Sequence, residues 1–326
     1  MATVTSCRRR RSRASDRLAI ALRRSHEEGV IDLPLLIPVP IVRRPVPVDA
    51  PPENPAVHQV RAVIASILGS LRGGPHLPES GLNWAAAYLT RGPEPLLVVT
   101  TTDAGWLPLG TIVPAGVRVL WNVPTAAAWS TVDDPVRQLV EFAAAEGYAI
   151  HAVATTHPSR AHHIPNGPWK LVGERHPGQV LPHRVTRFEL VASPERVAHL
   201  RSLGPDEADR QARALLRDLE RVTVEPEYAI GVDEARTEAR RYLSAGRELP
   251  PAVLDQLLLD QDALADALSL ARTPPRSLTA GGGPPDGAAL RSRLVERALV
   301  EVAIAAARHD LDSAVYGWTF ARYLAR

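Results

Sequence analysis

Leu82-Asn83-Trp84-Ala85-Ala86-Ala87-Tyr88-Leu89, followed by Thr90-Arg91-Gly92-Pro93-Glu94-Pro95 and then Leu96-Leu97-Val98-Val99-Thr100-Thr101-Thr102, is the stretch that decides the fold class. In its first part Trp84, Ala86 and Tyr88 alternate with Asn83, Ala85 and Ala87, the period-two spacing of a strand. Gly92-Pro93 makes a turn, and 96–102 reads as a second strand. Residues 82–102 therefore predict a β-hairpin.

Working outward, strands are also predicted over 117–121, 148–155 and 184–191. The segment 57–71 has helical spacing, with Val60, Val63, Ile64, Ile67 and Leu68 on one face, and Gly73-Gly74-Pro75 stops it. Asp133-Asp134-Pro135 is a helix start, and the helix over 136–146 ends at Gly147. Past residue 193 strand signals are nearly gone. Helices are predicted over 194–203, 206–222, 233–245, 250–271, 290–307 and 311–325. A break at 273–287 holds Gly281-Gly282-Gly283-Pro284-Pro285. The fold class is α+β: a small mixed sheet domain over 56–192, then an all-helical domain over 193–326. Residues 1–55 read as a disordered basic and Pro-rich tail. Residues 1–50 hold ten arginines against five acids, and 33–55 hold eight prolines.

The 326 residues are enough for two cores, and 45% of them are hydrophobic. The net charge of +2 supplies no global field toward nucleic acid or membrane. The single cysteine, Cys7, cannot form an internal disulfide. No run approaches the ~20 apolar residues of a membrane span. The basic start is not followed by an unbroken apolar region, so no conventional signal peptide is expected. The expected location is cytoplasmic, or peripheral to the membrane.

The chemistry-bearing candidates are few. Thr100–Pro108 (TTTDAGWLP) is a polar run at a strand end, a place where α/β proteins put function. A turn in which Asp103 caps amides and Trp106 packs on the core is the favoured reading, because no second catalytic group stands at a defined spacing. His151, His157, His162, His163, His176 and His183 cluster in a Pro- and Gly-rich stretch without a metal-ligand framework, so no metal is expected. No dinucleotide, phosphate-loop or nucleophile-elbow motif occurs, and Lys170 is the sole lysine. No cofactor is expected. Asp103 and His151 are the pair to test if the chain is a hydrolase. The arginines at 8–13 could hold phosphates of nucleic acid or lipid, but no aromatics interleave with them for base stacking. Trp106, Trp318, Phe320 and Tyr323 are candidate interface residues in an aromatic-poor chain.

The motif Leu82-Asn83-Trp84-Ala85-Ala86, the run Leu97 to Pro108 and the segment Val113-Pro114-Ala115-Gly116-Val117-Arg118-Val119-Leu120 together resemble a domain of mycobacterial type VII (ESX) secretion-associated proteins, EspK-like proteins among them. The likeness covers about forty residues. It implies an accessory protein that contacts secretion substrates or the secretion ATPase. The chain lacks a WxG turn and a YxxxD or YxxxE signal after a helix pair, which favours the cytosolic side over export. The resulting expectation is a non-enzymatic interaction protein of type VII secretion, with a protein as its partner and nucleic acid disfavoured.

Overall fold

The hairpin forms the middle of a sheet in the computed structural model, which describes residues 54–72, 82–123, 134–157, 168–170, 181, 183–219, 222, 233–272 and 287–325. The expectations for the tail before residue 54, for Gly73-Gly74, for His162, His163 and His176, and for the break at 273–286 lie outside these residues. The described strands are β1 Trp84–Thr90, β2 Pro95–Thr101, β3 Ile112–Pro114, β4 Val117–Val119, β5 Ala149–Thr155, β6 Pro168–Lys170 and β7 Arg184–Thr186. The described helices are α1 Pro55–Arg72, α2 Pro135–Glu146, α3 Arg187–Val191, α4 Pro194–Arg201, α5 Pro205–Asp218, α6 Asp233–Ser244, α7 Pro251–Arg272, α8 Gly287–Ala307 and α9 Leu311–Leu324. The class is α+β, as the hairpin and the helical spacing of the second half require.

Five strands lie in the order β4-β2-β1-β5-β6. β1 is antiparallel to both neighbours, with Trp84 opposite Thr101 and Ala85 opposite Thr155. β4 joins β2, and β6 joins β5, in parallel. Ala85, Ala86 and Ala87 occupy the central strand because both of its faces are covered. Val98, Val153 and Leu89 meet Leu139 and Phe142 of α2 on one face. Val99, Ala152 and Ala154 join the α1 residues Val60, Ile64 and Ile67 on the other. The second face continues without a break into α5–α9, so the strand-bearing and helical halves meet in one apolar core within the single unit 52–326.

Local chemistry explains most element ends. The Asp134 carboxylate accepts from Val136 N at 2.8 Å and Arg137 N at 3.2 Å, starting α2 at Pro135. Gly147 ends it in the left-handed region at φ 70°. Two expected strands are shorter than their alternation suggested. The run over 117–121 leaves the sheet at Leu120, where a 3₁₀ turn, Leu120–Asn122, swings the Trp121 indole toward Gly105. The run over 184–191 pairs with β3 only through Thr186, then turns helical. There Thr186 Oγ1 accepts from Glu189 N at 3.4 Å, and Glu189 Oε2 accepts from Thr186 N at 2.7 Å. This capping box outweighs the period-two pattern. β3 and β6 were not foreseen, since three-residue strands leave no periodicity to read.

α8 is buried nearly all round, and α5, α6, α7 and α9 pack about it. No helix among the described residues is long and apolar enough to cross a membrane.

Candidate functional site

The run Thr100–Pro108 leaves β2 and drives straight into the helical half. Its backbone is tied first to the sheet. Thr100 Oγ1 donates to Gln138 Oε1 at 2.6 Å, and Gln138 Nε2 donates to Thr101 O at 3.2 Å. Thr101 Oγ1 donates to Trp106 O at 3.0 Å and accepts from Asp103 N at 3.3 Å. Ala104 and Gly105 take left-handed φ values of 53° and 80° to close the turn. Trp121 Nε1 donates to Gly105 O at 3.1 Å, which brings the indole against the turn.

The same turn brings one buried charge, Asp103, to three others, Arg187, Arg297 and Glu301. Asp103, 0% exposed, faces the Arg297 guanidinium at 3.5 Å. Arg297 also lies over the Trp106 ring, 3.5 Å from its centroid. Trp106 Nε1 donates to Glu301 at 3.3 Å, and Glu301 pairs with Arg187. Arg187 donates to Leu107 O and to Ser313 Oγ, each at 3.1 Å. Leu107 N donates to the Tyr316 hydroxyl at 2.7 Å. Asp103 from the turn, Arg187 from α3, and Arg297 and Glu301 from α8 thus form a charge-balanced joint between sheet and helices. Burial pulls the Arg297 guanidinium down to about 10, against the opposing pull of Glu301. Burial pushes the Tyr316 phenol upward, so its hydroxyl stays neutral. A cleft of about 390 Å³ opens beside this joint, with Trp106, Leu109, Asp262, Arg187 and Arg308 among its walls.

The structure does not bring Asp103 and His151 together. His151 is exposed near the start of β5 and shares a hydrogen bond with Thr90 Oγ1 at 2.8 Å. Thr155, four residues on, is the β5 residue level with the Asp103 end of the sheet. Four residues of strand separate the two levels by about 13 Å, beyond any hydrogen bond. Asp103 and His151 therefore do not form an acid–base pair in this fold. The aromatic candidates are mostly interior. Trp106, Phe320 and Tyr323 are buried, and Trp121 packs against Phe320 and Tyr323 at centroid distances of 5.2 and 5.4 Å. Trp318 alone is half-buried, donating to Asp218 at 2.9 Å beside Arg322. Among the described residues no three His, Cys, Asp or Glu side chains stand together as a metal site.

Sequence reasoning missed Arg187, Arg297 and Glu301. A signal existed: Arg297 and Glu301 stand four apart, and Glu301 sits in the otherwise apolar run Ala298–Ala307, which marks a buried charge that needs a partner.

A different surface lies on α7. Leu259 is 60% exposed and Leu270 is 76% exposed, and they share one line because eleven residues make about three turns. Exposed Asp255, Asp262, Ala263 and Asp266 flank them. Beside this face a groove of about 440 Å³ separates α6 from α7.

No protein-family model matches the chain, and no curated protein matches it. Among solved structures the chain is similar to a fragment of the conserved hypothetical protein Rv3899c from Mycobacterium tuberculosis. That similarity has 16% identity and a TM-score of 0.42, and covers 82% of this chain and 94% of that one.

Proposed function

We propose that the chain is a partner-binding accessory protein of type VII secretion, acting on the cytosolic side. The observation that carries the partner-binding part is the outer face of α7. Singly exposed leucines are ordinary, but Leu259 and Leu270 lie along one line of one helix with only short side chains between them. The pairing of Asp103, Arg187, Arg297 and Glu301 within the fold supports a structural use of the TTTDAGWLP turn. The secretion part rests on the resemblance carried by that turn and by Val113–Leu120.

The test is affinity capture from mycobacterial lysate, with the full chain and its Leu259→Glu/Leu270→Glu variant as baits. The expected result is a secretion component or substrate held by the first and lost by the second. Capture of neither class above an untagged control would end the reading.

A further inference from the structure

The groove between α6 and α7 and the outer face of α7 form one continuous acidic strip. Val253 and Ala235 line the groove with buried apolar surface, and Glu234, Glu238, Gln256 and Asp260 supply its polar walls. Asp260 is oriented there by Gln256 Nε2, which donates to it at 2.8 Å. Farther along, Asp255, Asp262 and Asp266 stand among Leu259 and Leu270. α7 carries four aspartates, and Arg272 is its one cationic residue. Among the described residues Asp255, Asp262 and Asp266 have no ion-pair partner, in a chain where Arg–carboxylate pairs are otherwise common. Asp262 and Asp266 are four apart, a spacing at which like charges destabilise a helix.

The arrangement selects its occupant. Asp255 and Asp266 are eleven residues apart, roughly 16 Å, so they cannot close on one metal ion. A second copy of the same face would set aspartate against aspartate across a two-fold axis. A helix lying along α7 meets both requirements, because its aliphatic stripe covers the leucines while flanking cations answer the aspartates. From Asp255 to Leu270 is about 22 Å, the length of a helix of about fifteen residues. The groove's apolar floor and carboxylate rim suit the stem and head of an Arg or Lys side chain.

We propose that this strip docks a cationic amphipathic helix of a partner protein. Its aliphatic side chains would lie on Leu259 and Leu270, and its Arg or Lys groups among Asp255, Asp262, Asp266 and the groove. The proposal rests on the partner-binding reading above and names the chemistry of the partner.

Two labelled synthetic helices of about eighteen residues, with identical leucine positions, test it on the full chain by fluorescence anisotropy. One carries lysine and the other glutamate at every polar position. The lysine helix is expected to bind at least ~10-fold more tightly, and to weaken as salt rises. Leu259→Glu/Leu270→Glu and Asp255→Lys/Asp262→Lys/Asp266→Lys are each expected to weaken it by ~10-fold or more, with an unchanged urea midpoint. Glu94→Lys/Glu195→Lys/Glu248→Lys carries the same change of net charge elsewhere and is expected to bind nearly as the parent does. Equal binding of both helices, indifference to the α7 variants, or an equal loss in the charge-matched control would each overturn the proposal. If lysate capture still recovers a secretion component with the Asp→Lys variant, the partner-binding reading survives and this surface falls.

Discussion

Replacing Arg297 by Met tests the joint at its centre. The Arg297 guanidinium lies 3.5 Å from the Asp103 carboxylate, and both are buried. At that distance and an effective dielectric of about 20, the attraction is roughly 5 kcal/mol. Breaking a buried pair from one side costs about 3–5 kcal/mol, because the remaining charge stays in the interior uncompensated. Loss of the cation over Trp106 adds to this, though Met restores part of the packing. For a chain of this size that cost lowers the melting temperature by roughly 6–20 °C at neutral pH, read by circular dichroism or calorimetry. The informative partner is Asp103→Asn/Arg297→Met. Burial already depresses the Arg297 pKa to about 10, so holding this cation has its own cost. Removing both charges is therefore expected to cost less than the two single losses added together, by a coupling of about 1–3 kcal/mol. If Arg297→Met melts within about 2 °C of the parent, or the double variant is as unstable as the sum of the singles, Asp103 and Arg297 are not energetically joined.

Gly105→Ala is expected to cost ~2–4 kcal/mol, through the positive φ and a forced contact in the turn. The added Cβ would sit 2.9 Å from Trp121 Cδ1 and 3.3 Å from Thr100 Oγ1. Gly116→Ala is its control, with a similar φ of 84° and open space about it, and is expected to cost only ~1–2 kcal/mol in urea unfolding. Gly317→Ala gains helix propensity of up to ~1 kcal/mol yet drives a Cβ to 2.8 Å from Val302 Cγ2, where α9 crosses α8. It is expected to be destabilising alone and to show favourable coupling with Val302→Ala in a double-mutant cycle. Burial raises the Tyr316 and Tyr323 phenols above their unfolded value near ~10, so above that pH the unfolded chain releases protons that the folded chain keeps. Each tyrosine then removes ~1.4 kcal/mol of stability per pH unit. Arg297 works the other way, because its folded value of about 10 lies below its unfolded one. The net expectation is a loss of ~1.4 kcal/mol per unit from about pH 10 to 12, which Tyr323→Phe should largely flatten.

The fold was legible wherever local pattern and local chemistry agreed. The hairpin, α1, α2 with its Asp134 cap and Gly147 stop, and the helices of the second half all stand near their expected positions. The errors came where a capping box or an indole hydrogen bond cut a strand short, as at Thr186 and Trp121. The joint was illegible because its members are far apart in sequence. Trp106 and Glu301 are separated by 195 residues, and Arg187 and Ser313 by 126. Nothing in the neighbourhood of Arg187 marks it as interior. Only the helix bearing Arg297 and Glu301 carried a readable sign, since Glu301 falls in an apolar run, Ala298–Ala307, and a buried charge there demands a partner.

Trp84, Ala85 and Ala86, the residues Thr100 to Pro108, and Val113, Val117, Val119 and Leu120 are all buried. They tie β2 to α8 and α9, so the residues that carry the resemblance lie in the packing that locks the sheet to the helices. A turn whose Asp103 is neutralised by Arg297, whose Trp106 indole is spent on Glu301 and whose Gly105 carbonyl is taken by Trp121 has little left to offer a partner. Proteins sharing that turn would share the lock while differing in what they bind. On the proposed reading, partner choice resides in residues the motif leaves out, and among the described surfaces the proposal places it on α7, with its exposed leucines and aspartates.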